Sequence, residues 1–146
     1  MNLIVRPLVT SDLEQWRRLW TAYLEFYETR LPETVYATTW ARLFAAGEFE
    51  PRGWLALHER KPVGLVHAIM HRTCWAEANN CYLQDLYADP EARGMGVGRA
   101  LIEEVYRHAD RAGANNVYWN THETNATARK LYDRIAKRSG FIQYKR

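Results

Sequence analysis

The chain of 146 residues has the length of one ordinary domain, and 47% of its residues are apolar, which is enough for a substantial core. Its net charge of +3 is too small to indicate a nucleic-acid binder, and no window approaches the roughly 18 uninterrupted apolar residues of a membrane helix. Cys74 and Cys81 form no CxxC pair, and no cysteine or histidine cluster has metal-ligand spacing. We therefore expect a single domain over residues 1–146 in a reducing, cytoplasmic setting, with no signal peptide, metal or membrane partner.

The apolar periodicities predict ten elements in the order β-αα-βββ-α-β-α-β. In chain order they are a strand over 3–5, helices over 11–27 and about 34–46, strands over 54–58, 63–70 and 82–88, a helix over 98–112, a strand over 116–121, a helix over 125–138 and a strand over 141–144. The segment from Ser11 to Glu14 is typical of a capping box at the start of the first helix. This order predicts one α/β domain on a mixed sheet.

The segment ARGMGVGRAL, residues 92–101, has glycines at 94, 96 and 98 directly before a helical stripe. Glycines on alternate positions are costly unless the backbone turns through positive φ or lies against another group. A helix N-terminus has free N–H groups and the positive end of the dipole, so the loop predicts an anion site, most often for phosphate. A Walker loop and a dinucleotide-binding fingerprint are both excluded, because Arg99-Ala100 follows the last glycine.

What remains is Arg-x-x-Gly-x-Gly between a strand and a helix, which resembles the central motif of the GNAT superfamily of N-acetyltransferases. Two later segments stand at the family's spacing: Asn125-x-x-Ala-x-x-Leu-Tyr132 and Ser139-Gly-Phe141. The resemblance covers most of the chain. It implies a mixed, mostly antiparallel central sheet flanked by helices, with two splayed central strands, here 82–88 and 116–121. It also implies direct transfer of acetyl from acetyl-CoA to an amine in a ternary complex.

In the family, the glycine loop holds the pyrophosphate of coenzyme A, and the pantetheine arm lies between the splayed strands like an added strand. A backbone N–H near 86–88, where the family's strand carries a bulge, would polarise the thioester oxygen. Basic side chains at 129, 130, 134, 137 and 138 are candidates for the 3′-phosphate. The cofactor-binding residues implied are Leu86, Tyr87, Ala88, Arg93, Gly94, Met95, Gly96, Val97, Gly98, Arg99, Asn125 and Lys130.

For catalysis, Tyr132 occupies the position of the family's proton-donating tyrosine, and a neutral phenol can protonate a departing thiolate. The segment YLQDLY resembles the corresponding strand of spermidine/spermine acetyltransferases, but Gln84 replaces the glutamate that precedes the aspartate there. An amide is no base near neutral pH, which leaves Asp85, or a water that passes the proton to a more distant carboxylate. Glu25, Glu28 and Glu123 are the further carboxylate candidates, and their spacing does not rank them.

Acceptor choice in the family depends mainly on the first two helices and their loop, here about 23–39. This segment is rich in aromatic and carboxylate side chains, which suit a cationic amine. The residues expected to bind the acceptor are Tyr27, Glu28, Gln84 and His122. Residues 117–144 also resemble the subgroup with the yeast histone, polyamine and D-amino-acid acetyltransferases, which favours a small amine or amino acid.

Other functions stay open on the sequence alone. Without the glutamate at position 84, the chain also suits a sensing module that binds acyl-CoA without turnover, or an acetyltransferase that acts on a protein amine. A nucleic-acid binder has little support, because acidic and apolar residues interrupt the basic ones of the last helix. Aromatic residues near the C-terminus permit a homodimer or a higher homo-oligomer.

Overall fold

The computed structural model describes residues 2–146, which form five strands, four α-helices and two short 3-10 turns. The strands are β1 (Leu3–Pro7), β2 (Arg52–His58), β3 (Lys61–His71), β4 (Asn80–Ala88) and β5 (Asn116–Tyr118). The helices are α1 (Leu13–Phe26), α2 (Glu33–Leu43), α3 (Val97–Arg111) and α4 (Ala126–Ile135). The 3-10 turns, Thr10–Asp12 and Pro90–Ala92, precede α1 and the glycine loop.

The sheet has the order β1-β2-β3-β4-β5, with antiparallel pairing up to β4 and a parallel pairing of β5 with β4. The last pairing is parallel because α3 returns the chain to the same end of the sheet. Among residues 2–146, β5 pairs only with residues 80–82 of β4, and the remainder of β4 is unpaired on that side. The predicted mixed sheet with splayed central strands is therefore confirmed.

Apolar side chains pack on both faces of the sheet. One cluster lies beneath α1 and α2, around the fully buried Trp16 and Leu19, and the other lies beneath α3, around Leu101 and Ile102. Burying each such side chain is worth about 1.5–3 kcal/mol. α3 also approaches β3 closely, because a Cβ on Gly64 would lie 2.6 Å from a methyl group at the start of α3. This packing holds the N-terminus of α3 against the sheet.

The start of α1 differs from the predicted capping box at Ser11 to Glu14. A 3-10 turn comes first, and the carboxylate of Asp12 accepts the backbone N–H of Val9 at 2.8 Å. The same carboxylate accepts two hydrogen bonds from the guanidinium of Arg6, at 2.7 and 2.9 Å, which lower the pKa of Asp12. Asp12 therefore closes the 3-10 turn that precedes α1 and ties it to β1.

Several elements end earlier than predicted. α2 ends at Leu43 rather than at residue 46, β5 at Tyr118 rather than at 121, and α4 at Ile135 rather than at 138. The strand predicted over 141–144 is not formed, and the prediction was wrong: Phe141, Ile142 and Tyr144 are 81%, 71% and 88% exposed. A strand needs a neighbour for its backbone N–H and C=O groups, and this segment pairs with no strand of residues 2–146.

Neither membrane nor metal features occur in the part of the chain that the structure describes. Residues 2–146 contain no helix long and apolar enough to cross a bilayer, and no group of three or more His, Cys, Asp or Glu that could hold a metal ion. Cys74 is exposed and Cys81 is buried, and both thiols are free. Burial raises the pKa of Cys81 to about 11, so this thiol stays protonated and packs as a core side chain.

Candidate active site

A β-bulge at Gln84 determines which way the second half of β4 faces. Across the ladder with β3, Asp85 pairs with His67 and Leu83 pairs with Ala68, so Gln84 is the extra residue. One extra residue reverses the alternation of faces, which sends Asp85 towards α1 instead of into the core beneath α3. The bulge was expected near 86–88. It lies at Gln84 instead, soon after β4 parts from β5.

The bulge presents the carboxylate of Asp85 to two ring N–H groups. Nε1 of Trp20 donates to Oδ2 at 3.2 Å, and Nδ1 of His67 lies 2.8 Å from the same oxygen. The Asp85 side chain is 13% exposed, so solvent still reaches the carboxylate. The gap where β4 parts from β5 is the cleft of this site. Burial, and then the charge of Asp85, raise the pKa of Tyr23. Asp85 therefore holds a largely buried carboxylate in the part of β4 that does not pair with β5.

Two of the residues predicted to bind the acceptor, Tyr27 and Gln84, lie near this carboxylate. Tyr27, which follows α1, packs against His122 in the loop after β5, with ring centroids 5.3 Å apart. Burial, and then the charge of Asp85, raise the pKa of Tyr27. Gln84 is exposed beside them, and its backbone carbonyl accepts the hydroxyl of Tyr23 at 3.4 Å. The alternative carboxylates, Glu25, Glu28 and Glu123, are all exposed.

Tyr132 lies on α4 and neighbours Tyr27. Its ring packs edge-on against Trp119, with centroids 5.4 Å apart. Burial, and then the neighbouring Tyr27, raise the pKa of Tyr132 to about 12, so the phenol stays protonated. Asn125 occupies the N-cap position of α4, but its amide donates to the hydroxyl of Thr121 at 3.4 Å rather than capping the helix.

The glycine loop turns through the left-handed region twice, at Gly94 (φ 82°) and Gly96 (φ 78°). A Cβ at either position would meet no atom within 4 Å, so both face open space. α3 begins directly afterwards, and the N–H groups of Val97, Gly98 and Arg99 have no acceptor within the helix. The loop therefore aims free donors into the space above it.

That space is a cavity of about 350 Å³ between the end of β4, the loop and α4. The residues that line it are Ala88, Ala92, Arg93, Gly94, Gly96, Val97, Gly98, Arg99, Leu131 and Arg134. Three guanidinium groups and the N-terminus of a 15-residue helix make the cavity suitable for a diphosphate. Leu86, Tyr87, Met95, Asn125 and Lys130 are outside this lining. Arg134, one turn after Lys130 on α4, is the basic residue of α4 that lines the cavity.

Comparisons with known proteins agree with this geometry. The sequence model described as the acetyltransferase (GNAT) family matches residues 13–136. This chain belongs to the GNAT family. It is similar to the D-amino-acid N-acetyltransferase HPA3 of Saccharomyces cerevisiae, with 37% identity over 147 residues, covering 99% of this chain and 91% of that protein. This GNAT protein is therefore an acyl-CoA-dependent N-acetyltransferase, as its motifs predict.

Solved structures show the GNAT fold at lower identity. The aminoglycoside acetyltransferase AAC(6′)-Iy, in complex with a bisubstrate analog, has a TM-score of 0.86 and 17% identity, covering 100% of this chain and 98% of that chain. The ribosomal-protein-alanine N-acetyltransferase from Brucella melitensis biovar Abortus 2308 has a TM-score of 0.78 and 19% identity, covering 99% and 98%. These likenesses confirm the predicted fold class.

Sequence reasoning missed the residues that hold Asp85 in this GNAT protein. His67 and Trp20 bind its carboxylate from 18 and 65 positions away, and Trp16 contacts His67 from 51 positions away. The only local signal was the spacing of Trp16 and Trp20, four apart on one helical face. Nothing in the sequence indicated that β4 would bring Asp85 beneath that face.

Proposed function

We propose that this GNAT protein transfers an acetyl group from acetyl-CoA directly to the primary amine of a small molecule, and that this molecule is an amino acid. The observation that carries the proposal is the carboxylate of Asp85, held next to the bulge where β4 is open and close to Tyr27, on which His122 packs. The yeast relative HPA3, a D-amino-acid N-acetyltransferase by name, supports the amino-acid class, with D-amino acids as the first candidates.

Acetyl-CoA supplies the activated acetyl group as a thioester, and the residues of this chain fit it at two places. The cavity above the glycine loop, with Arg93, Arg99 and Arg134, suits the pyrophosphate. Beyond Tyr82, no strand in the described part of the chain pairs with β4 on the β5 side, so the backbone of 86–88 is open to an extended arm. The bisubstrate analog bound to AAC(6′)-Iy contains CoA, which supports the same co-substrate here.

The proton of the acceptor is the first task for the side chains. An amine of pKa about 9–10 is mostly an ammonium ion at neutral pH, and it must lose a proton before it can attack. Asp85 attracts the cation, and it accepts the proton either directly or through a water. Gln84 cannot take that role, because an amide is no base at this pH.

The proton of the departing thiol is the second task. Tyr132 keeps its own proton at neutral pH, because burial raises the pKa of Tyr132 to about 12. A protonated phenol next to the cleft can donate to a thiolate as it forms. Asp85 and Tyr132 are thus the proposed catalytic pair, with Tyr27, Glu28, Gln84 and His122 as the acceptor-binding residues.

The test is thiol release from acetyl-CoA with a panel of D- and L-amino acids, polyamines, aminoglycosides and peptides, with the acetylated product identified by mass. We expect turnover with amino acids. Turnover with peptides alone would favour a protein amine as the acceptor, and acetyl-CoA binding without any turnover would favour the sensing module. A cytoplasmic location, the lack of a nucleic-acid partner, and a homodimer or higher homo-oligomer stay predictions.

A further inference from the structure

His67 is a buried titratable side chain that the proposed reaction does not use directly. It is 3% exposed and stands opposite Asp85 across the ladder of β3 and β4. Trp16, which is fully buried, places its Nε1 3.0 Å from Nε2 of His67, and Nδ1 of His67 lies 2.8 Å from Oδ2 of Asp85. These three side chains form a hydrogen-bonded chain from the core beneath α1 to the edge of the cleft.

The direction of each hydrogen bond in this chain follows from Trp16. An indole N–H can only donate, so Nε2 of His67 must accept, and it carries no proton. The single ring proton then lies on Nδ1, which donates it to Asp85. Bonded in this way, the imidazole is neutral, and the negative charge of the three hydrogen-bonded side chains lies on Asp85.

A second proton on His67 would have to bind at Nε2, where it would face the N–H of Trp16. Two donors would then oppose each other in the core, and a buried donor without an acceptor costs about 1–3 kcal/mol. Other groups also face the three hydrogen-bonded side chains. They are the phenols of Tyr23, Tyr27 and Tyr36, the guanidinium of Arg17 above Tyr36, and Gly53 of β2. Among the described residues, Nε2 of His67 has no hydrogen-bond partner other than the N–H of Trp16.

Both ring donors bind the same oxygen of Asp85. Trp20 and His67 donate to Oδ2, so Oδ1 is left free for the acceptor. If His67 became an imidazolium, the pair with Asp85 would be neutral overall and would attract an ammonium ion less strongly. Keeping His67 neutral therefore keeps the charge of Asp85 available to the substrate.

We propose that Trp16 and His67 are positioning residues for Asp85. Trp16 keeps His67 a neutral Nδ1–H donor, and His67 holds Asp85 by Oδ2 with its negative charge uncompensated. The inference rests on the proposed role of Asp85 towards the amine. It is a statement about the protonation of His67, however, and can be tested without turnover.

The direct test is a nitrogen-15 NMR spectrum of the imidazole of His67 in the wild-type protein, recorded between about pH 6 and 8.5. We expect a protonated Nδ1 and an unprotonated Nε2 throughout. A proton on Nε2 anywhere in this range would overturn the inference. Because this readout needs no substrate, it separates the inference from the proposed function, which fails on its own if no amine is acetylated.

The kinetic test is the pH profile of kcat/KM for Trp16→Phe, which removes the N–H and keeps an aromatic ring. We expect a new acidic ionisation, with kcat/KM about tenfold below wild type near pH 6 and within about threefold near pH 8.5. Trp40→Phe is the matched control, because Trp40 packs on Trp16, with centroids 4.8 Å apart, outside the hydrogen-bonded chain. Its profile should keep the wild-type shape.

A double variant identifies the group that titrates. In Trp16→Phe/His67→Asn, the asparagine can donate to Asp85 but cannot become a cation. The new acidic ionisation should therefore disappear. Its persistence in the double variant, or its absence from Trp16→Phe, would overturn the inference. If Trp16→Phe does not fold, the wild-type NMR spectrum decides.

Discussion

The rings of Tyr27 and His122 pack against each other with their centroids 5.3 Å apart, which joins the end of α1 to the loop after β5. The two residues come from distant parts of the sequence, and both were predicted to bind the acceptor. The charge of Asp85 acts on Tyr27, so this aromatic pair stands beside the proposed acceptor carboxylate. An amine that reaches Asp85 is expected to pass this pair.

Truncating that pair should weaken binding of the acceptor more than it slows the chemistry. We expect Tyr27→Ala to raise the KM for the amine about three- to tenfold, because a cation over an aromatic ring is worth about 0.5–2 kcal/mol. The affinity for acetyl-CoA should not change. Steady-state kinetics with either substrate varied will measure both, and His58→Ala, at the far end of β2, is the control. An unchanged KM for the amine would contradict the assignment.

Tyr132→Phe should lower kcat about 100-fold, because proton donation by a positioned side chain contributes about 10²–10⁴-fold. Tyr106→Phe is the matched control. Its hydroxyl donates to the carbonyl of Ile135 at 3.0 Å beneath α4, so its loss should cost about 1 kcal/mol of unfolding free energy and leave kcat unchanged. If Tyr132→Phe retains the wild-type kcat, the donor role is wrong.

The glycine loop offers a matched pair of substitutions. Gly96 (φ 78°) and Gly113 (φ 67°) both have positive φ and empty space around a Cβ, but only Gly96 lines the cavity. Alanine at either position should cost about 1–2 kcal/mol of unfolding free energy, because a side chain disfavours this conformation. Only Gly96→Ala should also weaken acetyl-CoA binding, measured by calorimetry. Equal affinity in the two variants would place the cofactor elsewhere.

The C-terminal segment supports a prediction on self-association. Phe141, Ile142 and Tyr144 are exposed, and β5 leaves one edge of the sheet unpaired in the described chain. We expect light scattering at micromolar concentration to show a dimer or higher oligomer, and the variant Phe141→Ser/Ile142→Ser/Tyr144→Ser to be a monomer. A monomeric wild type, or an oligomer that survives the substitutions, would show that this segment is not the interface.

The glycine loop and the helix after it could be predicted from the sequence because the responsible signals are local. Left-handed turns need glycine, and the apolar stripe of α3 repeats within a few residues. The strand over 141–144 failed for the opposite reason. Its aromatic and β-branched residues suit a strand, but a strand requires a neighbour, and the sequence does not reveal that β5 spans only three residues.

The orientation and the hydrogen-bond partners of Asp85 could not be predicted from local sequence signals either. The aspartate itself was found because it stands next to Gln84 in a recognisable strand. Its orientation depends on the bulge at Gln84, and its partners depend on how α1 packs across β3 and β4. His67 lies in an apolar segment of the sequence, so it resembles an ordinary core residue until the strand that pairs with β3 is known.

The kinetics of Asp85→Asn test the central claim most directly. The amide keeps the size of the side chain and removes its charge, so kcat/KM for the best amine should fall about 100-fold or more, while acetyl-CoA affinity and thermal stability stay close to wild type. Asp110→Asn, at an exposed position near the end of α3, is the control and should be fully active. If Asp85→Asn instead retains kcat/KM within about threefold of wild type, the carboxylate neither binds nor deprotonates the acceptor, and the account of the site is wrong.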